Sequence, residues 1–197
     1  MTEAEWLACS EQPVQLRVIE EYATIRKLRL IAAAFVRRVQ SDPDLEERDA
    51  KRCDDLIEAV ADCPVPWEEL EPILRSRYGH WRFTHMLPPG DLHQITMELR
   101  KLLAFTSERH QPYSTTLIHE VIGNPFRPVA FDPSWRTSAA VALARQMYEA
   151  RDFAHMPILA DALQDAGCEH PDVLAHCRGN GPHVRGCWVV DLVLGKV

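Results

Sequence analysis

The chain has no apolar run longer than residues 30–36, LIAAAFV, in its 197 residues. A bilayer-crossing helix needs about 20 such residues, and arginines bracket this run, so a membrane span is excluded by sequence. The opening residues, MTEAEWLACS, are acidic and polar, with no basic stretch leading into an apolar one. No secretory signal is expected, and the protein is assigned to the cytoplasm, where thiols stay reduced. Positive charge is scarce as well: 22 Lys and Arg stand against 29 Asp and Glu, a formal net charge of −7. A general nucleic-acid binder needs clustered positive charge to neutralise phosphates, so nucleic acid is not the expected partner. The familiar catalytic patterns are missing too. There is no GxxxxGK[ST], no GxGxxG after a strand, no GxSxG and no CxxC, and His119-Glu120 has no histidine at the step HExxH requires. No stretch alternates apolar and polar residues as a half-buried strand does.

What remains is a chain with 46% apolar residues, enough for a real core, patterned almost throughout at helical steps. Thr2-x-x-Glu5 is a capping box opening a first helix that turns Trp6 and Leu7 inward. Thr24 caps a helix over residues 25–39, whose face is Ile25, Leu28, Ile31, Ala32, Phe35, Val36 and Val39. Arg26, Arg29, Arg37 and Arg38 fall mostly off that face and read as a solvated strip. Further helices are expected over residues 44–62, 67–77 and 91–109, and one capped by Ser114 and closed by Gly123. Residues 75–85, RSRYGHWRFTH, interleave arginines and histidines with aromatics and read as a loop docking its rings on the core.

Residues 123–136 carry too many prolines for a helix and form an extended connector held by Phe126, Phe131 and Trp135. The boundary between an N-terminal helical region, 1–122, and a C-terminal helical module, 123–197, falls at its start, with the two packed as one globular unit. Helices over 138–151, 152–166, a short one from Pro171, and a last one over 183–194 follow. The fold class is all-α: stacked helical hairpins, HEAT-like or as an irregular helical bundle.

The chemistry concentrates at the C-terminal end. Residues 157–194 hold Cys168, Cys177 and Cys187 together with His170, His176 and His183. Zinc takes four nitrogen or sulfur donors in a tetrahedron. Cys168, His176 or Cys177, His183 and Cys187 supply such a set, with His183 and Cys187 one turn apart on the last helix. Two other readings stand beside it. The three cysteines are small buried apolar residues, or one is a nucleophile activated by His176 or His183, with Asp161 or Asp191 orienting the ring.

The stretches MTEAEWLAC, RKLRLIAAAFVRR, GNPFRPVAFDPSW, PILADALQDAGC and GPHVRGCWVVDLVLGK resemble a large bacterial protein family abundant in planctomycetes. Its members often carry a short repeat-companion-type N-terminal domain and a C-terminal module that recurs on other proteins. The resemblance covers both ends of the chain and leaves residues 63–113 unmatched. Where the family often has Ala-Cys-Ala-Cys-Cys, this chain has Ala32-Ala33-Ala34-Phe35-Val36, so a metal role for that helix is not implied. The resemblance carries no activity, cofactor or catalytic residue to transfer. The functional expectation is therefore a non-catalytic helical interaction or scaffold module with a protein partner, the alternative being a small zinc-binding domain built on the C-terminal Cys/His residues.

Overall fold

A computed structural model describes residues 1–9, 21–40 and 111–196, together with positions 15, 18, 20, 58, 60–62, 93, 95–97, 99 and 100. The expected helix over 67–77, the basic-aromatic stretch 75–85 and most of the helices over 44–62 and 91–109 lie outside these residues. Among the described residues every regular element is a helix and no strand occurs. The chain forms two compact units, Glu3–Ile118 and His119–Val197. The division falls within a helix, four residues before the boundary read from the sequence.

In the first unit, α1 is Glu3–Ala8 and buries Trp6 completely, while Leu7 points to solvent. The expectation that both turn inward fails for Leu7 because neighbouring helical residues lie about 100° apart. Helix α2 is Ile25–Gln40. Thr24 caps it as expected, its Oγ1 accepting from Lys27 N at 3.3 Å. Leu30, Ala33 and Ala34 are buried along with Leu28, Ile31, Ala32 and Phe35, so α2 is enclosed over far more than one face. The arginine strip is correspondingly not simply solvated. Arg26 pairs with Asp62 at 2.8 Å and Arg37 with Glu58 at 2.6 Å, Glu58 being buried. Helix α3 is Gln111–Ile122. It starts before Ser114, which is an interior position and not its cap.

The second unit begins with the last residues of α3. Gly123 closes that helix at φ 75°, donating its N–H to His119 O at 2.9 Å. The connector follows as expected, without α-helix. Asn124 Oδ1 accepts from Phe126 N at 3.1 Å. One 3₁₀ turn, Pro133–Trp135, is capped by Asp132, whose carboxylate accepts from Ser134 N at 2.8 Å. Phe131 and Trp135 meet edge to face at 5.2 Å and pack against the unit's core.

Four helices complete the unit. Helix α4 is Ser138–Ala150, capped by Thr137; α5 is Met156–Asp165; α6 is Pro171–Arg178; α7 is Trp188–Leu194. Helix α5 starts four residues later than the sequence suggests. Asp152 Oδ1 accepts from Ala154 N at 3.0 Å, a local turn that competes with helix. The contacts run α4–α5, α5–α6, α6–α7 and α7–α4, closing a ring. That is the arrangement of a small bundle; a linear stack of hairpins would keep α4 and α7 apart. Inside the ring lie Ala144, Met147, Leu159, Leu163, Val173, Val189, Val190 and Val193 with Cys168, Cys177 and Cys187. Burying each aliphatic side chain of this size contributes about 1.5–3 kcal/mol. Arg136 fastens the connector to the end of α7, donating from Nε and an Nη to Leu192 O at 3.1 and 3.0 Å. It also lies over the Phe131 ring at 5.2 Å.

The expected last helix over 183–194 is corrected. Residues 179–187 are a loop with a cis Gly181–Pro182 bond, and the helix begins only at Trp188, with Cys187 as its N-cap. His183 and Cys187 are therefore not one turn apart on a helix. They meet because the loop folds back.

Candidate metal centre

Four side chains from four places in the second unit converge. Glu120 comes from the final turn of α3, His176 from α6, His183 from the loop and Cys187 from the cap of α7. One ligand-capable atom of each lies within 4.8 Å of all the others. Glu120 Oε1 is 3.1 Å from His183 Nδ1, and its Oε2 is 3.3 Å from His176 Nε2. His176 Nε2 is also 3.2 Å from Cys187 Sγ. Adjacent donors on a tetrahedral zinc ion, bonded at 2.0–2.3 Å, stand roughly 3.3–3.7 Å apart. These three pairs are already near that spacing.

The cluster is enclosed. Cys187 is wholly buried, the Glu120 and His183 side chains are 4% and 8% exposed, and His176 is the most accessible at 18%. Burial alone would push the Glu120 carboxyl up. The hydrogen bonds and charges of His176 and His183 outweigh it and hold the group below its ordinary range. Burial likewise opposes a charge on His183, yet the Glu120 carboxylate holds its pKa above the ordinary value. Burial and the neighbouring Glu120 push the Cys187 thiol well up. In the metal-free chain it is a neutral thiol, the opposite of the lowered, thiolate-forming state a cysteine nucleophile needs.

Two outer contacts hold the rings. Trp188 Nε1–H donates to His176 Nδ1 at 3.1 Å, and the two rings lie 5.1 Å apart. His183 Nε2 is 3.4 Å from Gly179 O, which can only accept. Gly123 lets Trp188 come so close: a Cβ there would lie 3.1 Å from Trp188 Cγ, at a φ that already disfavours any side chain.

Of the residues expected from sequence, His176, His183 and Cys187 come together. Cys168 and Cys177 do not join them. Both are fully buried members of the core inside the helix ring, and burial pushes the Cys177 thiol up to about 12. Cys177 follows His176 directly, and one step on a helix turns it from the cluster into the core. His170 is the N-cap residue of α6 and stays outside the group. Asp161, a candidate to orient a catalytic imidazole, pairs instead with Arg178 at 2.9 Å.

The residue that sequence reasoning missed is Glu120. In the sequence it stands only as part of an incomplete HExxH. Its signal is its setting, an acid next to His119 among the aliphatic residues Leu117, Ile118, Val121 and Ile122. A carboxylate among buried aliphatic residues requires a partner, and here it has two.

No family model, curated protein or solved structure matches the chain.

Proposed function

We propose that the second unit is a metal-binding domain that takes one divalent transition-metal ion of the zinc class at Glu120, His176, His183 and Cys187. The observation that carries this reading is the convergence of a carboxylate, two imidazoles and a thiol within 4.8 Å, in the interior of a small unit. Oxygen, nitrogen and sulfur together suit zinc and not magnesium or calcium, which favour all-oxygen shells. Charge supports the same choice. A carboxylate and a thiolate neutralise a dication, so the loaded site is neutral and its burial far less costly than that of a lone ion. The cluster brings the end of α3 together with α6, the loop and the cap of α7. The thiols Cys168, Cys177 and Cys187 are free, which fits a reducing compartment such as the cytoplasm. Among the described residues no helix is long and apolar enough to cross a membrane.

The scaffold reading calls for a contiguous exposed apolar surface. Among the described residues the large exposed apolar side chains are Met1, Leu7, Tyr22, Met97 and Ile158. The test is metal analysis of the full chain purified without added metal, followed by zinc titration after chelation. About one equivalent bound, abolished by Cys187→Ala together with Glu120→Ala, is the expected result. Zinc binding no tighter than that of the double variant ends the proposal.

A further inference from the structure

The two histidines of the cluster are not equivalent, and their outer hydrogen bonds set them apart. A neutral imidazole has one N–H and one lone pair. A metal-ligating histidine coordinates through the lone pair and donates its other N–H to a carbonyl, carboxylate or water. His183 has this arrangement. Its Nε2 faces the carbonyl of Gly179 at 3.4 Å, so the hydrogen sits there. Its Nδ1 faces Glu120 Oε1 at 3.1 Å. A bare lone pair against a carboxylate oxygen is repulsive, so a cation belongs between them: a second ring proton in the metal-free chain, a metal ion in the loaded one.

His176 has the reverse arrangement. The indole N–H of Trp188 is a donor only and points at Nδ1 at 3.1 Å. Nδ1 must therefore accept, which leaves the ring's hydrogen on Nε2. That Nε2–H points into the cluster, 3.2 Å from Cys187 Sγ and 3.3 Å from Glu120 Oε2. Coordination through Nε2 would move the hydrogen to Nδ1 and set it against the Trp188 N–H, two donors face to face. Trp188 has little freedom to withdraw, since it packs against the Gly123 backbone where even a Cβ would stand 3.1 Å from its ring.

Resting on the metal-site reading above, we infer that Glu120, His183 through Nδ1, and Cys187 coordinate the ion, while Trp188 withholds His176 as a hydrogen-bond donor to the coordinating sulfur and carboxylate. Three protein donors leave a tetrahedral ion one position for water. The centre is then one with an exchangeable position, not a clamp closed by four side chains. His176 is a positioning residue whose N–H stabilises the anionic charge of Cys187 and Glu120.

Two measurements on the full chain test this division. The first needs no variant: long-range ¹H–¹⁵N correlation of the histidine rings in zinc-loaded protein. The expected spectrum has His176 hydrogen on Nε2 and His183 hydrogen on Nε2 with a metal-shifted Nδ1. His176 hydrogen on Nδ1 in the loaded state overturns the inference while leaving the metal site standing. The second is cobalt(II) and zinc binding by chelator competition. His176→Gln is expected to lower affinity about ten- to a hundredfold, as outer-shell losses do, and to keep the ligand-field spectrum of the parent. His183→Gln is expected to cost more and to change that spectrum. Equal losses and equal spectral change in the two variants overturn the inference. Wild-type protein that binds neither ion overturns both the inference and the site on which it rests.

Discussion

At the level of single residues, Glu120 decides how the cluster behaves with and without metal. Its two oxygens face two imidazoles, and removing one partner of a buried charged set costs about 3–5 kcal/mol. Glu120→Ala should therefore destabilise the chelated protein by about 3 kcal/mol in urea unfolding. The pH dependence has a definite sign. His183 is raised above its ordinary 6.5, so its contribution is complete below 6.5 and is lost as pH rises through the raised value. Glu120 is lowered below its ordinary 4.5, so its contribution is complete above 4.5 and is lost as pH falls through the lowered value. In metal-free protein the stability gap between wild type and Glu120→Leu should peak between pH 4.5 and 6.5. Metal binding runs the other way, because the Cys187 thiol and the extra His183 proton must leave. Zinc affinity should climb from mildly acid to mildly alkaline pH, and an affinity independent of pH would contradict coordination by that thiol. Sequence reading reached His176, His183 and Cys187 because they lie close together along the chain. The setting of Glu120 signals a need for a partner but not which one, since it meets His183 across 63 residues.

At the level of elements, the loop over residues 179–187 determines whether the site exists. Helical steps among Val184, Cys187, Trp188, Asp191 and Leu192 suggest a helix over residues 183–194, and that reading fails at its start because periodicity takes no account of how a Gly-rich segment turns. Gly181 sits at φ 75°, and a Cβ there would lie 2.6 Å from His183 N. That contact is with backbone and cannot be relieved by a rotamer change. Gly181→Ala should cost at least about 1–2 kcal/mol for the left-handed conformation alone, and should weaken zinc binding by displacing His183. Arg136→Ala is the contrasting case. It removes the two hydrogen bonds to Leu192 O at the far end of α7, and being exposed it should cost about 1 kcal/mol with zinc affinity unchanged. If both variants weaken zinc equally, the loop has no special part in holding the ligand. The start of α6 and the end of α7 are legible because they carry chemical markers, Pro171 in α6 and Gly195 after α7. Helix α5 was misjudged at its start because the Asp152 turn is a side-chain competition that helical periodicity does not report.

At the level of the whole molecule, helical spacing and the lack of strand alternation made the all-α class readable, while the closure of four helices into a ring did not show in any single segment. Ring closure depends on which faces meet, and α4 and α7, the first and last helices of the ring, pack together. The metal centre draws on the same closure, since the residues of its cluster come from α3, α6, the loop and the cap of α7. Ligand binding to the native state alone adds stability as RT ln(1 + [L]/Kd), about 2.7 kcal/mol at a hundredfold excess over Kd. That gain should appear where the ion cross-links the chain. The two compact units, Glu3–Ile118 and His119–Val197, therefore make a spatial prediction. In hydrogen exchange on the full chain, zinc should slow the amides of α6, α7, the loop between them and the final turn of α3, while α1 and α2 exchange at their metal-free rates. Uniform slowing across both units would mean that the ion acts on global unfolding and not through the second unit. Slowing confined to α1 and α2 would place the ion elsewhere and remove the cluster from consideration.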